Sequence, residues 1–357
     1  MTSLYYRDAA AELHLGDAVD VMATLPSGSV DCVVTSPPYW GLRDYGTATW
    51  TGGNPRCRHT LGTTPHQRRS PTARPTADAA EDREPRCRRC GALCHDRQYG
   101  HEPTPEKYVD QLRHTFTEVR RVLDPRGTLW LNLGDGYSSN SDGYVCTRRR
   151  NVRQPSYRPA AGITHKSLVG IPWRVAFALQ YDGWVIRNAI VWHKPNAMPE
   201  SVRDRLSCRY EIVFLLTKQQ DYYFNLDAIR EPYTTDRPLR RKRRYGGNKG
   251  NAIATPWTPK GKGKNPGDMW SISTRPLRQA HCAPFPIDLP LRCIAAGSPD
   301  GGRVLDPFSG AGTTGLAARH LGRFYQGIDL RPDYHDIALR RFNNQQPDEL
   351  NEPGTAA

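Results

Sequence analysis

Five consecutive residues, Ser36, Pro37, Pro38, Tyr39 and Trp40, follow the apolar run VDCVVT at 30–35. Two prolines end a strand and withdraw two backbone donors, so the carbonyls beside them keep free lone pairs. The Ser36 hydroxyl adds a further acceptor, and both rings are pushed out at a sheet edge. The result is a rigid, acceptor-rich corner with aromatics stacked beside it. A second constellation is VLDPFSGAGTTG at 304–315, where Asp306 and Pro307 end a strand and Gly310 and Gly312 precede a helix. Glycines there let the backbone approach a ligand, and a helix N-terminus offers free amides. One strand later, GIDL at 327–330 places Asp329 where a carboxylate can bind the two hydroxyls of a ribose. A nucleoside-type ligand follows on physical grounds. No lysine follows the last glycine, so the turn is not a P-loop.

The nine cysteines divide into two groups. Cys32, Cys146, Cys208, Cys282 and Cys293 are scattered, as buried free thiols of a cytosolic protein are. Cys57, Cys87, Cys90 and Cys94 share one polar segment, which points to metal rather than disulfides. CRH at 57–59 and CRRC at 87–90, closed by Gly91, supply two ligand pairs for a four-coordinate structural zinc. Cys57, His59, Cys87 and Cys90 are the first choice, and Cys94 or His95 can replace His59. The polar stretch between the pairs, 63–85, cannot bury a core of its own, so a metal staple makes physical sense.

These sites need elements to position them. AELHLGD at 11–17 reads as a strand followed by a helix to about Leu25, and VDCVVTS at 30–36 as a strand covered on both faces. TPEKYVDQLRHTFTEVRRVL at 104–123 opens with a Thr cap and Pro105, and Tyr108, Leu112, Phe116, Val119 and Leu123 recur at helical spacing. Strands are expected at 127–135, 184–194 and 210–218, a helix at 167–183, and strand, glycine turn, helix, strand, helix over 302–342. This alternation predicts an α/β sheet with helices on both faces. The chain of 357 residues divides into core at 1–55, 96–218 and 269–345, a Cys-rich insert at 56–95, a basic region at 219–268 and a frayed tail at 346–357. A net charge of +14 favours a polyanionic partner. With no run of about 18 apolar residues and no apolar leader, a membrane span and a secretory signal are excluded, and the expected location is the cytoplasm, at the nucleoid.

TSPPYW and DPFSGAGTTG together resemble the catalytic and S-adenosylmethionine motifs of amino-methylating DNA methyltransferases. The catalytic motif comes first, as in the circularly permuted β class, and the resemblance covers nearly all of residues 1–345 outside the Cys-rich and basic inserts. It implies a Rossmann-like fold whose seven-stranded mixed sheet is built in permuted order, with the last two strands at its centre. It implies catalysis by Ser36, Pro37, Pro38 and Tyr39, which accept the hydrogens of an exocyclic amine and stack on a base flipped from the duplex, with Trp40 walling the pocket. It implies cofactor contacts from Asp17, Thr35, His281, Phe285, Pro286, Asp306, Pro307, Phe308, Gly310, Gly312, Thr313 and Asp329. In that family Ser-Pro-Pro-Tyr usually accompanies N4 of cytosine, and Asp- or Asn-Pro-Pro-Tyr N6 of adenine; the hydroxyl can serve either amine.

The implied partner is double-stranded DNA, with room for a cognate restriction endonuclease and no fixed oligomeric state. RPLRRKRRYGGNKG at 237–250 lies where the family carries target recognition. Arg240, Arg241, Lys242, Arg243, Arg244 and Lys249 are expected on phosphates, and arginine there can also read guanine. A second basic patch at 146–158 can clamp the DNA. RNA or a glutamine amide are other substrates for such a corner, and a zinc-ribbon DNA binder with an inactive core is the competing class.

Overall fold

The computed structural model describes residues 2–43, 45–59, 86–138, 161–233, 263–275 and 285–344. In chain order the elements are β1 (Ser3–Arg7), β2 (Ala11–Leu15), α1 (Ala18–Met22), β3 (Val30–Thr35), β4 (Thr49–Thr51) and β5 (Leu93–His95). Then come α2 (Pro105–Val122), β6 (Leu123–Leu133), α3 (Ile171–Tyr181), β7 (Val185–His193), β8 (Tyr210–Thr217) and β9 (Met269–Ser271). The chain closes with α4 (Asp288–Gly297), β10 (Arg303–Asp306), α5 (Thr313–His320), β11 (Phe324–Asp329) and α6 (Pro332–Asn344).

One sheet runs in the order β1-β2-β11-β10-β3-β6-β8-β7-β9, and β4 pairs with β5 apart from it. The strands from β2 to β6 are parallel, while β8 is antiparallel to both its neighbours. The expected seven strands thus form the body of the sheet, and short β1 and β9 extend its two ends. The last two strands, β10 and β11, lie inside the sheet, but its middle is β3, the strand that feeds the Ser-Pro-Pro-Tyr corner. From β10 the chain passes through α5 to β11 on one side; from β3 it passes through α2 to β6 on the other. The crevice between β3 and β10 is therefore a topological switch point, where α/β sheets bind ligands beyond the carboxyl ends of the strands.

Side-chain alternation builds a core on each face. Leu129, Leu131 and Leu133 of β6, with Val33 of β3, pack against Leu112 and Phe116 of α2 and Leu179 of α3. Trp130, Cys32 and Val34 point the other way, to Cys293 and Ile294 of α4, Ala317 of α5 and Phe342 of α6. The apolar spacing of α2 holds through Val119, with Tyr108, Leu112, Phe116 and Val119 buried and Thr104 accepting the Lys107 N–H at 3.2 Å as its cap, while Leu123 turns out of the helix to open β6. The start of α3 has no cap of its own. Gly170 and Ile171 donate instead to the Asp135 carboxylate at 3.0 and 3.1 Å, so the end of β6 is tied to the helix that covers it. Among the described residues no helix is long and apolar enough to cross a membrane.

The turn into α5 depends on Gly312. Its φ is +71°, and a Cβ there would lie 2.7 Å from the Ala338 Cβ on α6. Both backbone strain and overlap oppose any side chain. Gly312→Ala should lower the unfolding free energy by about 1–3 kcal/mol, read from the urea midpoint at unchanged slope.

Candidate active site

A single cavity of about 1080 Å³ opens at the carboxyl ends of the parallel strands. Its lining includes Ser36, Pro37, Pro38 and Tyr39 after β3, and Asp306, Pro307, Phe308, Gly310 and Thr313 around the β10–α5 turn. Asp329 at the end of β11 and Phe285 before α4 also face it. Segments that are remote in the chain thus share one space.

The two motifs are joined by a buried tie. Asp306 is only 2 % exposed. Its Oδ1 accepts the Thr35 hydroxyl at 2.7 Å and the Phe308 N–H at 3.0 Å, and its Oδ2 accepts the Thr314 hydroxyl at 2.7 Å. Burial nonetheless pushes this carboxyl up to about 6, against those three donors. Asp306 borders the cavity, but its oxygens are occupied in holding β3, β10 and α5 together. Thr35 is one end of that tie rather than part of the lining.

Asp329 is held differently. Oδ2 accepts the Gly310 N–H and Oδ1 the Arg331 N–H, each at 2.9 Å, and burial raises this carboxyl too to about 6. A carboxylate has about four lone-pair sites, so two remain for ligand hydroxyls. Gly310 itself adopts φ +50°, which brings bare backbone to the cavity wall.

Four further expected contacts do not line the cavity. The Asp17 carboxylate caps α1, accepting from Val19 N at 2.9 Å and Asp20 N at 3.4 Å, and its neighbours Gly16 and Ala18 line the cavity instead. Trp40 does not wall the pocket: its indole N–H needs an acceptor, finds the Glu102 carbonyl at 2.9 Å, and the ring packs on the α2 side of the sheet. Pro286 is buried, and its carbonyl receives Leu289 N–H at 3.1 Å as α4 begins. Gly312 shapes the turn from behind the wall. His281, the six cations Arg240, Arg241, Lys242, Arg243, Arg244 and Lys249, the basic patch at 146–158 and the tail at 346–357 lie outside the described residues.

The corner is braced on all sides. Tyr108 donates to the Pro38 carbonyl at 2.9 Å, and Gly41 N–H to the Gly100 carbonyl at 2.8 Å. The Pro37 carbonyl has no partner among the described residues and remains an open acceptor. The Tyr39 ring lies against Gly134, where a Cβ would come within 2.5 Å of it.

Beneath the corner is a polar network that motif reading missed. Tyr39 Oη donates to Glu211 Oε2 at 2.6 Å and accepts from Asn132 Nδ2 at 2.9 Å; Ser36 Oγ donates to Tyr39 Oη at 3.2 Å. Lys194 Nζ is paired with the other oxygen of Glu211. The available signal was pattern: Asn132 and Glu211 are lone polar residues inside the apolar runs LWLNL and YEIVFLL.

In the insert, β4 and β5 bring together Cys57, His59, Cys87 and Cys90, whose ligand atoms all lie within 4.8 Å of one another. Cys94 is buried in β5 opposite Trp50, and the His95 ring contacts the Thr51 hydroxyl at 2.8 Å; neither belongs to the cluster.

A Rossmann-like mixed sheet with a ligand cavity at its switch point and a Ser-Pro-Pro-Tyr corner inside it defines a class, the amino-methyltransferases. The chain belongs to the N6/N4 DNA methylase family, whose DNA methylase model matches residues 30–340. It is 38% identical over 338 residues to the Type II methyltransferase M.Cfr9I of Citrobacter freundii, covering 94% of this chain and 88% of that protein. Identity to M.XycI of Xanthomonas campestris pv. cyanopsidis is 39% over 92% of this chain and 87% of the relative. For M.SmaI of Serratia marcescens it is 37% over 93% and 91%. The solved PvuII DNA methyltransferase (cytosine-N4-specific) shares the fold, with TM-score 0.59 and 16% identity across 99% of this chain and 90% of that one.

The Asp306 tie makes a pH prediction. Its folded carboxyl titrates near 6 against an ordinary 3.8, so the folded state binds the extra proton between those values. Stability contributed by this group is full below about 4 and lost as pH rises through about 6. Urea unfolding at stepped pH should show wild type losing stability across that window relative to Asp306→Asn; parallel curves would contradict the assignment.

Proposed function

We propose that this chain transfers a methyl group from S-adenosylmethionine to the exocyclic amine of a base extruded from duplex DNA, with N4 of cytosine as the target. The observation that carries this reading is the shared cavity: Ser36 and Pro37, whose hydroxyl and carbonyl are acceptors, line the same space as Gly310 and Asp329. The residues fit the cofactor. Asp329 keeps lone pairs for ribose hydroxyls, Gly310 presents bare backbone, and Phe285 and Phe308 offer apolar walls. When bound, S-adenosylmethionine supplies an electrophilic methyl on a sulfonium.

This chain's residues do the rest. An exocyclic amine is a poor nucleophile because its lone pair is delocalised into the ring. Accepting both its hydrogens, at Ser36 and Pro37, draws the nitrogen toward tetrahedral geometry and frees the lone pair. The same fixed acceptors stabilise positive charge as it develops on nitrogen. Holding the base in line supplies much of the remaining barrier reduction. Serine at the head of the corner supports cytosine N4, with adenine N6 as the alternative product. The cations at 240–249 supply phosphate contact, which strengthens binding at low salt.

The insert holds a structural zinc in this reading. A tetrahedron with Zn–S near 2.3 Å has sulfur–sulfur edges of about 3.8 Å, and Cys57 Sγ and Cys87 Sγ are 3.9 Å apart. Cys90 Sγ lies 3.3 Å from His59 Nδ1, and the Arg89 N–H points at Cys87 Sγ at 3.4 Å, a donor suited to a thiolate. Bound metal would close a segment with too little apolar surface to close itself.

Incubation with labelled cofactor and duplex DNA should place the methyl group on DNA, and nucleoside analysis should return N4-methylcytosine; N6-methyladenine would reassign the base. Ser36→Ala should lower transfer by about 10²-fold or more, with cofactor affinity by calorimetry close to wild type. Metal analysis should find one zinc per chain, lost in Cys87→Ser together with the order of the insert; a metal-free, folded wild type would remove the zinc reading.

A further inference from the structure

The network under the corner has a direction, and that direction has a use. A tyrosine hydroxyl owns one hydrogen and two lone pairs. At Tyr39 the hydrogen goes to Glu211 Oε2 at 2.6 Å, the length of a charge-assisted bond. The lone pairs take Asn132 Nδ2 and the Ser36 hydroxyl. The Asn132 amide has only two hydrogens, and its shorter contacts are to Glu211 Oε2 at 2.8 Å and Tyr39 at 2.9 Å, against 3.5 Å to Ser36. Lys194 on the far oxygen provides a counter-charge for the Glu211 carboxylate. Burial and the Glu211 charge raise the Tyr39 hydroxyl far above its ordinary value, so it stays protonated and remains a donor. The hydrogen of Ser36 is thereby turned toward Tyr39, and its lone pairs are left for the substrate.

We infer that Glu211, acting through Tyr39 and Ser36, is the terminal acceptor for the proton that the target amine must shed. This rests on the amine-methylation reading above. As the nitrogen–carbon bond forms and the donor's carbon–sulfur bond breaks, the amine nitrogen becomes cationic. It gives one N–H proton to Ser36 Oγ; the Ser36 hydrogen passes to Tyr39 Oη, and the Tyr39 hydrogen to Glu211 Oε2. The products are a neutral methylated amine and a neutral Glu211 carboxyl beside the Lys194 ammonium. Glu211 borders the cavity and its side chain is 16% exposed, so the proton leaves to cavity water and the relay resets. Glu211 touches no substrate atom: it is a positioning residue and a proton sink.

Glu211→Gln keeps the shape but places a neutral amide under Tyr39. Tyr39→Phe keeps the ring and removes the link. Each should reduce the single-turnover methylation rate by about 10²–10³-fold. The double variant should be no slower than the slower single, because the groups act as one chain. Cofactor affinity by calorimetry and base extrusion, read as 2-aminopurine fluorescence in duplex DNA, should stay at wild-type levels in both. Glu211→Asp should recover part of the rate. Unchanged rates, losses that multiply in the double variant, or rate losses that follow lost extrusion or cofactor affinity would each overturn the relay. Failure of the amine-methylation reading shows separately, as wild type leaving no methyl group on any base amine.

Discussion

The site depends on one buried carboxylate. Asp306 gathers the Thr35 hydroxyl from the end of β3, the Phe308 amide from its own turn and the Thr314 hydroxyl from α5, so that segments separated by most of the chain are joined. Strand pairing alone holds them weakly, since β10 and β3 share only the pairs Val304–Cys32 and Leu305–Val33. An ionised carboxylate in that position is costly to desolvate, which is why its titration is raised, and the three donors offset the cost only while their geometry holds. The tie therefore penalises any arrangement in which the corner and the glycine turn separate.

The corner receives its second constraint from the insert. The chain leaves the corner, runs through β4, the Cys/His cluster and β5, and returns at 98–102 to brace the loop it left. Gln98 accepts the Tyr45 N–H at 2.6 Å, Glu102 takes the Trp40 indole, and Gly100 packs flat on the Tyr39 carbonyl. Gly100 is needed there: its φ is +90° and a Cβ would come within 2.6 Å of that oxygen. An excursion placed inside the loop of the corner thus ends by supporting it, and closure of the cluster and rigidity of the corner are parts of one loop-closure problem.

Much of the scaffold was legible because its signals are local. Alternation in LWLNL sends leucines to one core and Trp130 to the other, and helical spacing with a threonine cap marks α2 without reference to anything else. Four short strands were not legible. β1, β4, β5 and β9 are five residues or fewer and exist because a neighbouring edge accepts their hydrogen bonds. α4 was hidden by Pro290 inside its first turn, where a missing N–H costs nothing. Asp17 shows that a strand-end carboxylate read as a ligand contact also caps a helix: its Oδ1 takes the first amides of α1.

By itself the sequence determined the chemical types of the site: an acceptor-rich corner after a buried strand, a glycine turn into a helix, an acid one strand further on, and Cys/His pairs of metal-ligating type in one polar insert. Those follow from backbone restrictions that act within a few residues. Only the tertiary structure decided that β3 and β10 are neighbours, that Trp40 turns away to satisfy its N–H, and that Glu211, Lys194 and Asn132 meet under Tyr39. These are long-range outcomes, set by which buried polar groups can find partners once two cores have closed on either face of the sheet.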